Sequence, residues 1–575
     1  MSGTLFHRPS GGLAKAFGAA HFTQGGFDMS RHLTRLVSFL TILSMAFLAA
    51  CGSGGSDAGG GGMAKEQVLN VGRIPSEPPS LDPLKATDNK SGLVLRHVME
   101  GLTRMGEDGK PQPAMAEEWE VNEDATKVTF HIRENAKWTN GDPVTAEDFE
   151  YAWKRVLNPD NGADYAYQLF YLKNGEKFYN GDAKAEDVGV KAVDDKTLEV
   201  ELEQPTPYFV SLTSFYTLMP VNKSVAEKNE DWAAEAKTYV GNGPFTLDTW
   251  KHDQEIVLKK NEDYWNADKV KLAQINLPFI GDATTGYQQY QAGKVDEGDT
   301  TIIPADMTKK LLDEGEAKKT KEPAIYFYMF NVEEEPFTNQ KIRKAFAMAI
   351  DRTSIVENVT EGGQQPASGF VPWGIPDHDQ DKEWVDTRDD YLAPKAKPEE
   401  AKKLLEEGMK EEGWDKLPSV TIDYNTDEGH KKIAEAIQQM WKKNLDVNVK
   451  LQNSEWKVYL EKTKSGDFQI GRLGWLPDYL DPMTFMDMWV TGGGNNDTNY
   501  SNEKYDELIK KAKSTADQKE RMEAMHEAED LLMEEMPIAP IYFYTKVYLS
   551  KDYVKGVKYL PDASIDYTEA YVTEK

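Results

Sequence analysis

Among its 575 residues the chain has one cysteine, Cys51, so no disulfide forms within it and its stability must come from the size of its cores. Outside the N-terminal region no stretch approaches the 18 consecutive apolar residues of a membrane-spanning helix. The signatures HExxH, GxxxxGK[ST] and GxSxG are missing, which removes the common routes to metalloprotease, nucleotide-hydrolysing and serine-hydrolase chemistry. Nine histidines are scattered, none four residues from another or paired with the cysteine, so a metal site has no ligand pattern to start from. Cationic residues are outnumbered, 67 against 97 acidic ones, and a net charge of −30 repels nucleic acid and anionic headgroups. In so acidic a chain, pairs such as Asp389/Asp390 read as solvated surface. Tryptophan and tyrosine, by contrast, are abundant at 13 and 26. Their apolar bodies and polar tips suit ligand clefts.

At the N-terminus a short basic segment, Met29-Ser-Arg-His-Leu-Thr-Arg35, precedes an apolar run from Leu36 to Phe47 that is too brief to cross a bilayer. Leu48-Ala-Ala-Cys51 ends it, and this order describes an export signal over residues 29–50. The last four residues resemble the lipobox of bacterial lipoproteins, in which the cysteine thiol is acylated and becomes the mature N-terminus. The alternatives are a signal peptide with an incidental cysteine, or a buried free thiol. A Gly/Ser tether completes residues 51–66. Two or more acyl chains hold a protein on a membrane where one does so only marginally. The expectation is a lipid-anchored domain on the extracytoplasmic face of the cell membrane. Residues 1–28 lack periodicity, and Met29 is the better start, so they read as a misassigned extension.

The remaining chain exceeds one ordinary core and should divide into two or three domains. Val68-Leu-Asn-Val-Gly72 reads as an entry strand, and a helix is expected over Ser91–Leu102. Lys127–Arg133 and Lys196–Leu202 alternate as half-buried strands, the second broken by Pro205 and Pro207. Thr145-Ala-Glu-Asp148 forms a capping box for a helix carrying Phe149, Trp153 and Val156. Gly241-Asn-Gly-Pro244 marks a boundary before the strand Phe245–Trp250. Helices are expected over Asn339–Ile350 and from Pro398 to a close near Gly408. Val420–Tyr424, a helix over Gly429–Lys443 and Val447–Leu451 make a βαβ unit, which requires a parallel sheet.

From about Gln67 to the C-terminus the chain resembles the peptide-binding members of the bacterial extracellular solute-binding proteins, family 5. The segments that carry the likeness are Glu100-Gly-Leu102 through Trp119, Phe130-His-Ile-Arg133, Trp138–Phe149, Trp153-Lys-Arg155, Gly241–Phe245 and Lys344–Arg352. Later ones are Tyr424-Asn-Thr426, His430-Lys-Lys432, Trp441–Asn444, Glu455-Trp456, Gly474–Tyr479, Asp481-Pro482 and Pro540–Tyr544. The resemblance implies an α/β, two-lobed, type II hinge-closing fold of the periplasmic-binding-protein kind with an additional smaller α/β domain. Lobe I would comprise 67–99, 236–328 and 546–575, the small domain 100–235, and lobe II 329–545. It also implies a monomeric receptor, not an enzyme and without cofactor, metal or nucleic acid. Such a receptor binds oligopeptides between its lobes and hands them to the permease and ATPase subunits of an ABC importer. A receptor for signalling or cell-wall peptides, or for another small solute, is the alternative within the family; an extracellular enzyme and an adhesin are the readings outside it.

The same resemblance assigns roles. Asp478, after the strand that ends at Pro477, matches the acceptor of the peptide α-ammonium; otherwise it is a turn or cap residue. Gly474, Trp475 and Leu476 would offer an exposed edge to the ligand backbone, giving affinity without sequence choice. Arg472 and His430 match receivers of the C-terminal carboxylate, although His430 could be a surface residue at a helix start. Tyr165, Trp456 and Tyr544 match aromatic walls, and Asn89, in the loop after Asp82-Pro83, a backbone contact near the ligand N-terminus. Thr463, between Lys462 and Lys464, stands where some relatives carry arginine, which implies a different preferred peptide length.

Overall fold

The structure, a computed structural model, describes residues 62–575 except Asp124, Pro207, Gln380, Asp381 and Ala516. The extension, the signal segment, Cys51, most of the tether and the strand-breaking Pro207 therefore lie outside the described residues.

The elements used below are, in chain order, β1 (Val68–Gly72), α1 (Asn89–Val98), β2 (Ala116–Val121), β3 (Lys127–Ile132), α2 (Ala146–Leu157), β4 (Val190–Ala192) and β5 (Thr197–Glu201). Next come β6 (Phe245–Lys251), β7 (Glu255–Lys260), β8 (Gln274–Pro278), β9 (Glu297–Gly298) and β10 (Ala317–Phe330). Then follow α3 (Gln340–Met348), α4 (Pro398–Glu411), β11 (Val420–Asn425), α5 (Glu428–Leu445), β12 (Val449–Ser454), α6 (Trp456–Lys464), β13 (Ile470–Trp475), α7 (Gln518–Glu535) and β14 (Ile538–Ser550).

An 11-stranded sheet runs β12-β11-β13-β10-β14-β9-β1-β8-β7-β6, with Gln365–Pro366 added against β14. Its spine is the antiparallel pair β10 and β14, which stay together from Ala317↔Leu549 to Met329↔Ile538. In one half of β14 burial alternates, as on a sheet with one wet face, and the facing half of β10 is largely solvent-accessible after Ala317. In the other half, from Pro323 and up to Phe543, every residue is buried. The register shifts between Lys321 and Ile325, around Pro323, which has no amide hydrogen to give the ladder. The expected βαβ unit is present: β11 and β12 pair in parallel from Val420↔Val449 to Asn425↔Ser454. Between them α5 buries Ile433, Ala434, Ile437 and Trp441. A separate four-stranded antiparallel sheet, β2-β3-β5-β4, is covered by α2, whose N-terminus is held by Asp148. That carboxylate accepts from Thr145 N at 3.0 Å and Trp138 Nε1 at 3.0 Å.

Two helix ends differ from expectation. Helix α1 stops at Val98, not Leu102, because Asn242 takes hold of the next backbone unit. Its Oδ1 accepts from Glu100 N at 2.9 Å and its Nδ2 donates to Glu100 O at 2.9 Å. The flanking glycines are sterically required, since a Cβ at Gly241 would lie 2.0 Å from Val98 O. Helix α4 runs past Gly408 to Glu411. Gly408 is no terminator; a Cβ there would meet Ile342 at 2.7 Å, so glycine lets α4 press against α3.

Candidate functional site

Strand β13 has β10 on one side throughout, with Tyr326 opposite Gly474 and Ile325 opposite Trp475. On its other side β11 pairs only with Ile470 and Gly471, then continues to Asn425 beside β12. From Arg472 onward β13 therefore has no second strand among the described residues. Where the backbones part, Arg472 bridges them, donating from Nη1 to Asn425 Oδ1 at 3.1 Å. The edge exists, but it is not exposed as expected: all six residues of β13 are buried and Leu476 is half-buried. Pairing at Gly474 is regular, so it is not a bulge. Its missing side chain makes room for Tyr544, whose hydroxyl would lie 2.9 Å from a Cβ.

The start of this edge is cationic and lined with tyrosines. Arg472 is fully buried and donates from Nη2 to the Tyr544 hydroxyl at 3.0 Å. Its guanidinium carbon sits 4.6 Å from the centre of the Tyr326 ring. Burial opposes its charge, yet the surrounding tyrosines Tyr544, Tyr326, Tyr542 and Tyr459 hold it firmly protonated. His430 faces the same ring, 5.6 Å between centroids, and is buried, so the surface alternative does not hold. Asp427 caps α5 through His430 N at 3.0 Å, and burial together with Arg472 keeps the imidazole well below its usual titration range, hence neutral. Trp456 opens α6 and stacks on Tyr459, whose hydroxyl donates to Arg472 O at 2.6 Å. Lys462 is committed to Asp423 at 2.6 Å, and Thr463 is buried with its hydroxyl on Leu460 O.

The other end is anionic. Strand β13 ends at Trp475, two residues before Pro477, and Asp478 N donates to Thr484 Oγ1 at 3.1 Å. Its Oδ2 accepts from Gln168 Nε2 at 3.0 Å and from the Tyr167 hydroxyl at 3.3 Å, both on the segment that follows α2. Oδ1 has no hydrogen-bond partner among the described residues, and the groups that act on the carboxyl are Asp487, Tyr167 and Gln168, none of them a cation. Burial, with Asp487 adding to it, pushes this carboxyl well above the ordinary carboxylate range. Tyr165 is not itself on the carboxylate. It packs within the aromatic cluster behind it, 5.5 Å from Tyr167 and 5.2 Å from Phe215, ring to ring. Asn89 is the exposed first residue of α1 and not a loop residue. That helix reaches the same cluster at Gly92, where a Cβ would lie 3.1 Å from the Tyr216 ring.

One buried strand edge thus joins Gly474, Trp475, Arg472, Tyr544, His430 and, through Tyr459, Trp456, with Asp478 at its far end. Sequence reasoning missed Tyr167, Gln168, Tyr326 and Asn425. Only Tyr167 carried a signal, as the second aromatic of Tyr165-Ala-Tyr167. Asp478 and its two donors come from segments 310 and 311 residues apart, and the closure continues nearby. Tyr479 stacks on Tyr208 at 4.9 Å and 10°, and Lys464 reaches Asp164 at 3.4 Å. Among the described residues no group of three or more His, Cys, Asp or Glu side chains could hold a metal ion.

The family profile described as bacterial extracellular solute-binding proteins, family 5 middle, matches residues 110–497. The dipeptide-binding protein DppE of Bacillus subtilis is 48% identical over 501 residues, covering 87% of this chain and 91% of that protein. Listeria monocytogenes OppA bound to peptide superposes with a TM-score of 0.80 at 36% identity, covering 89% of this chain and all of that one. A periplasmic murein tripeptide-binding protein, MppA, in its unliganded open form superposes at only 0.65, with 33% identity over 90% of this chain and 99% of that one.

Proposed function

The chain belongs to the bacterial extracellular solute-binding proteins of family 5, whose members are substrate-binding proteins of ABC importers and not enzymes, and we propose that it is an oligopeptide receptor. The peptide α-ammonium pairs with Asp478, and the peptide backbone lies along the side of Gly474, Trp475 and Leu476 that faces away from β10, as an added strand. The C-terminal carboxylate goes to Arg472, whose planar fork suits a carboxylate, and at other ligand lengths to the neighbourhood of His430. Tyr165, Trp456 and Tyr544 wall the side-chain spaces, and Asn89 meets the ligand near its N-terminus. Main-chain pairing explains breadth, because every peptide offers the same amides and carbonyls.

The observation that carries this reading is Asp478: a buried carboxylate whose Oδ1 has no partner among the described residues and which no cation of theirs pairs. An uncompensated buried charge is strongly unfavourable, and a ligand ammonium removes the deficit. A neutral sugar does not.

Lobe I takes in 67–99, 236–328 and 546–575, the small domain 100–235, and lobe II 329–545. The strands β10 and β14 pass between the two lobes, and the register shift beside Pro323 lies a few residues before that boundary. Acylation of Cys51 tethers the monomer outside the cell membrane, where the loaded form meets the permease and ATPase subunits of a peptide importer.

Titration calorimetry with trialanine and N-acetyl-trialanine tests the reading. The free peptide should bind and the acetylated one bind about a hundredfold more weakly or worse. Equal affinities would sink it. Mass spectrometry after incubation with a peptide library should return the library uncut.

A further inference from the structure

Asp497 is a second buried acid, next to Thr463 and within the electrostatic reach of Tyr459, which supports the Arg472 end of the same strand edge. It lies in a loop that Asn496 pins, donating from Nδ2 to Tyr500 O at 2.6 Å and Val490 O at 3.1 Å while Oδ1 accepts from the Thr498 hydroxyl at 2.7 Å. The loop is also tied to the end of β10, since Val332 N donates to Thr498 O at 2.9 Å. Asp497 is 8% exposed, and its Oδ2 has no hydrogen-bond partner among the described residues. Its charge is felt by Tyr459, the residue that holds Arg472 O. Thr463 and Lys464, at the end of α6, are its neighbours. Lys464, the nearby cation, extends across the gap to Asp164, so two carboxylates share one ammonium. Burial pushes the Asp497 carboxyl up to about 7 despite Thr463 and Lys464, which mark it as under-compensated.

We infer that Asp497 is a specificity determinant of the cleft that receives a cationic side chain, lysine or arginine, from the bound peptide. The inference rests on the peptide-receptor reading above. Position Thr463 is part of the reason: the residue beside Asp497 is a neutral hydroxyl, which leaves the carboxylate's demand for a cation to the ligand. A side-chain ammonium at a buried carboxylate adds a charge-assisted hydrogen bond, equivalent to about tenfold or more in affinity.

The test uses the wild-type protein at pH 8, where Asp497 is mainly ionised, with trialanine and with tripeptides carrying lysine, norleucine or glutamate at the first, second or third position. At one position lysine should bind about tenfold tighter than norleucine, with glutamate weakest. Asp497→Asn should erase that preference while trialanine affinity stays within about twofold. Equal binding of lysine and norleucine at all three positions, with trialanine bound, overturns the role of Asp497 and leaves the receptor reading standing. A lysine preference that survives in Asp497→Asn overturns it too. Failure of every peptide, trialanine included, removes the receptor reading and this inference together. Should the variant not fold, the wild-type series decides alone.

Discussion

At the residue scale the deciding quantity is the environment of one carboxylate. Asp478 accepts two neutral hydrogen bonds and is pushed upward by burial and by Asp487. An ammonium binds its ionised form, so binding expels a proton whenever the empty site is protonated. Peptide affinity should accordingly fall as pH drops below the raised value, by up to about tenfold per unit, which calorimetry across a pH series measures. Stability runs the other way. A raised folded-state value means the folded protein holds the proton more tightly than the unfolded chain. That contribution is fully present below the ordinary aspartate value of about 3.9 and is lost as pH rises through the folded-state value. Asp478→Asn keeps an acceptor for Tyr167 and Gln168 without the charge. The peptide-free variant should melt above wild type at pH 8, the gap shrinking toward pH 4. Its affinity for free-ended peptides should drop about a hundredfold. A variant that binds as wild type does removes Asp478 from the site.

At the element scale, β13 and α7 show how segments are fixed by what they lack or bury. Gly474→Ala places a methyl 2.9 Å from the Tyr544 hydroxyl, which also accepts from Arg472. Tyr544 must turn, and the carboxylate-receiving end loosens. Every peptide should bind about tenfold more weakly, whatever its side chains, with little change in melting temperature. Loss confined to particular side chains would place Gly474 in a pocket wall instead. On α7, Glu529 is fully buried and accepts from Phe370 N at 2.7 Å, Val371 N at 3.1 Å and Trp384 Nε1 at 2.7 Å, with Arg388 Nε at 3.3 Å. It ties a long irregular stretch to the helix. Glu529→Ala leaves a buried cation and three donors behind, so urea unfolding should show a loss of about 3–5 kcal/mol.

At the scale of the whole molecule, the segments that meet across the gap touch through side chains. Among these contacts are the pair of donors to Asp478, the Lys464–Asp164 ion pair, and the Tyr208–Tyr479 stack, over which Arg521 lies 5.1 Å from the Tyr208 ring. Side-chain contacts of this kind suit an equilibrium that a ligand tips, since a ligand shifts two states only by its differential affinity for them. Tyr208→Ala removes a ring pair worth about 0.5–1.5 kcal/mol beyond its burial. Small-angle scattering should then require about three- to tenfold more trialanine to reach the compact radius of gyration seen for wild type. Identical titrations would remove the stack from closure.

Local features were legible in the sequence wherever a few neighbouring residues set them. Alternation gave β3 and β5, the 3.6 period with its flanking strands gave the βαβ unit, and Pro477 marked the strand end before Asp478 to within two residues, because side-chain direction and backbone freedom depend on residues within a turn or two. Misreadings came where a distant segment intervened. Gly408 looked like a helix stop but serves the approach of α3, and whether His430 sat on the surface stayed open until Tyr326, about a hundred positions earlier, was seen to cover it. The sequence by itself determined the elements and which chemical groups were on hand. Tertiary structure alone decided their electrostatics. Whether a carboxylate is ordinary or poised for a cation depends on the low-dielectric surroundings that residues some 310 positions away create, and no local pattern encodes that.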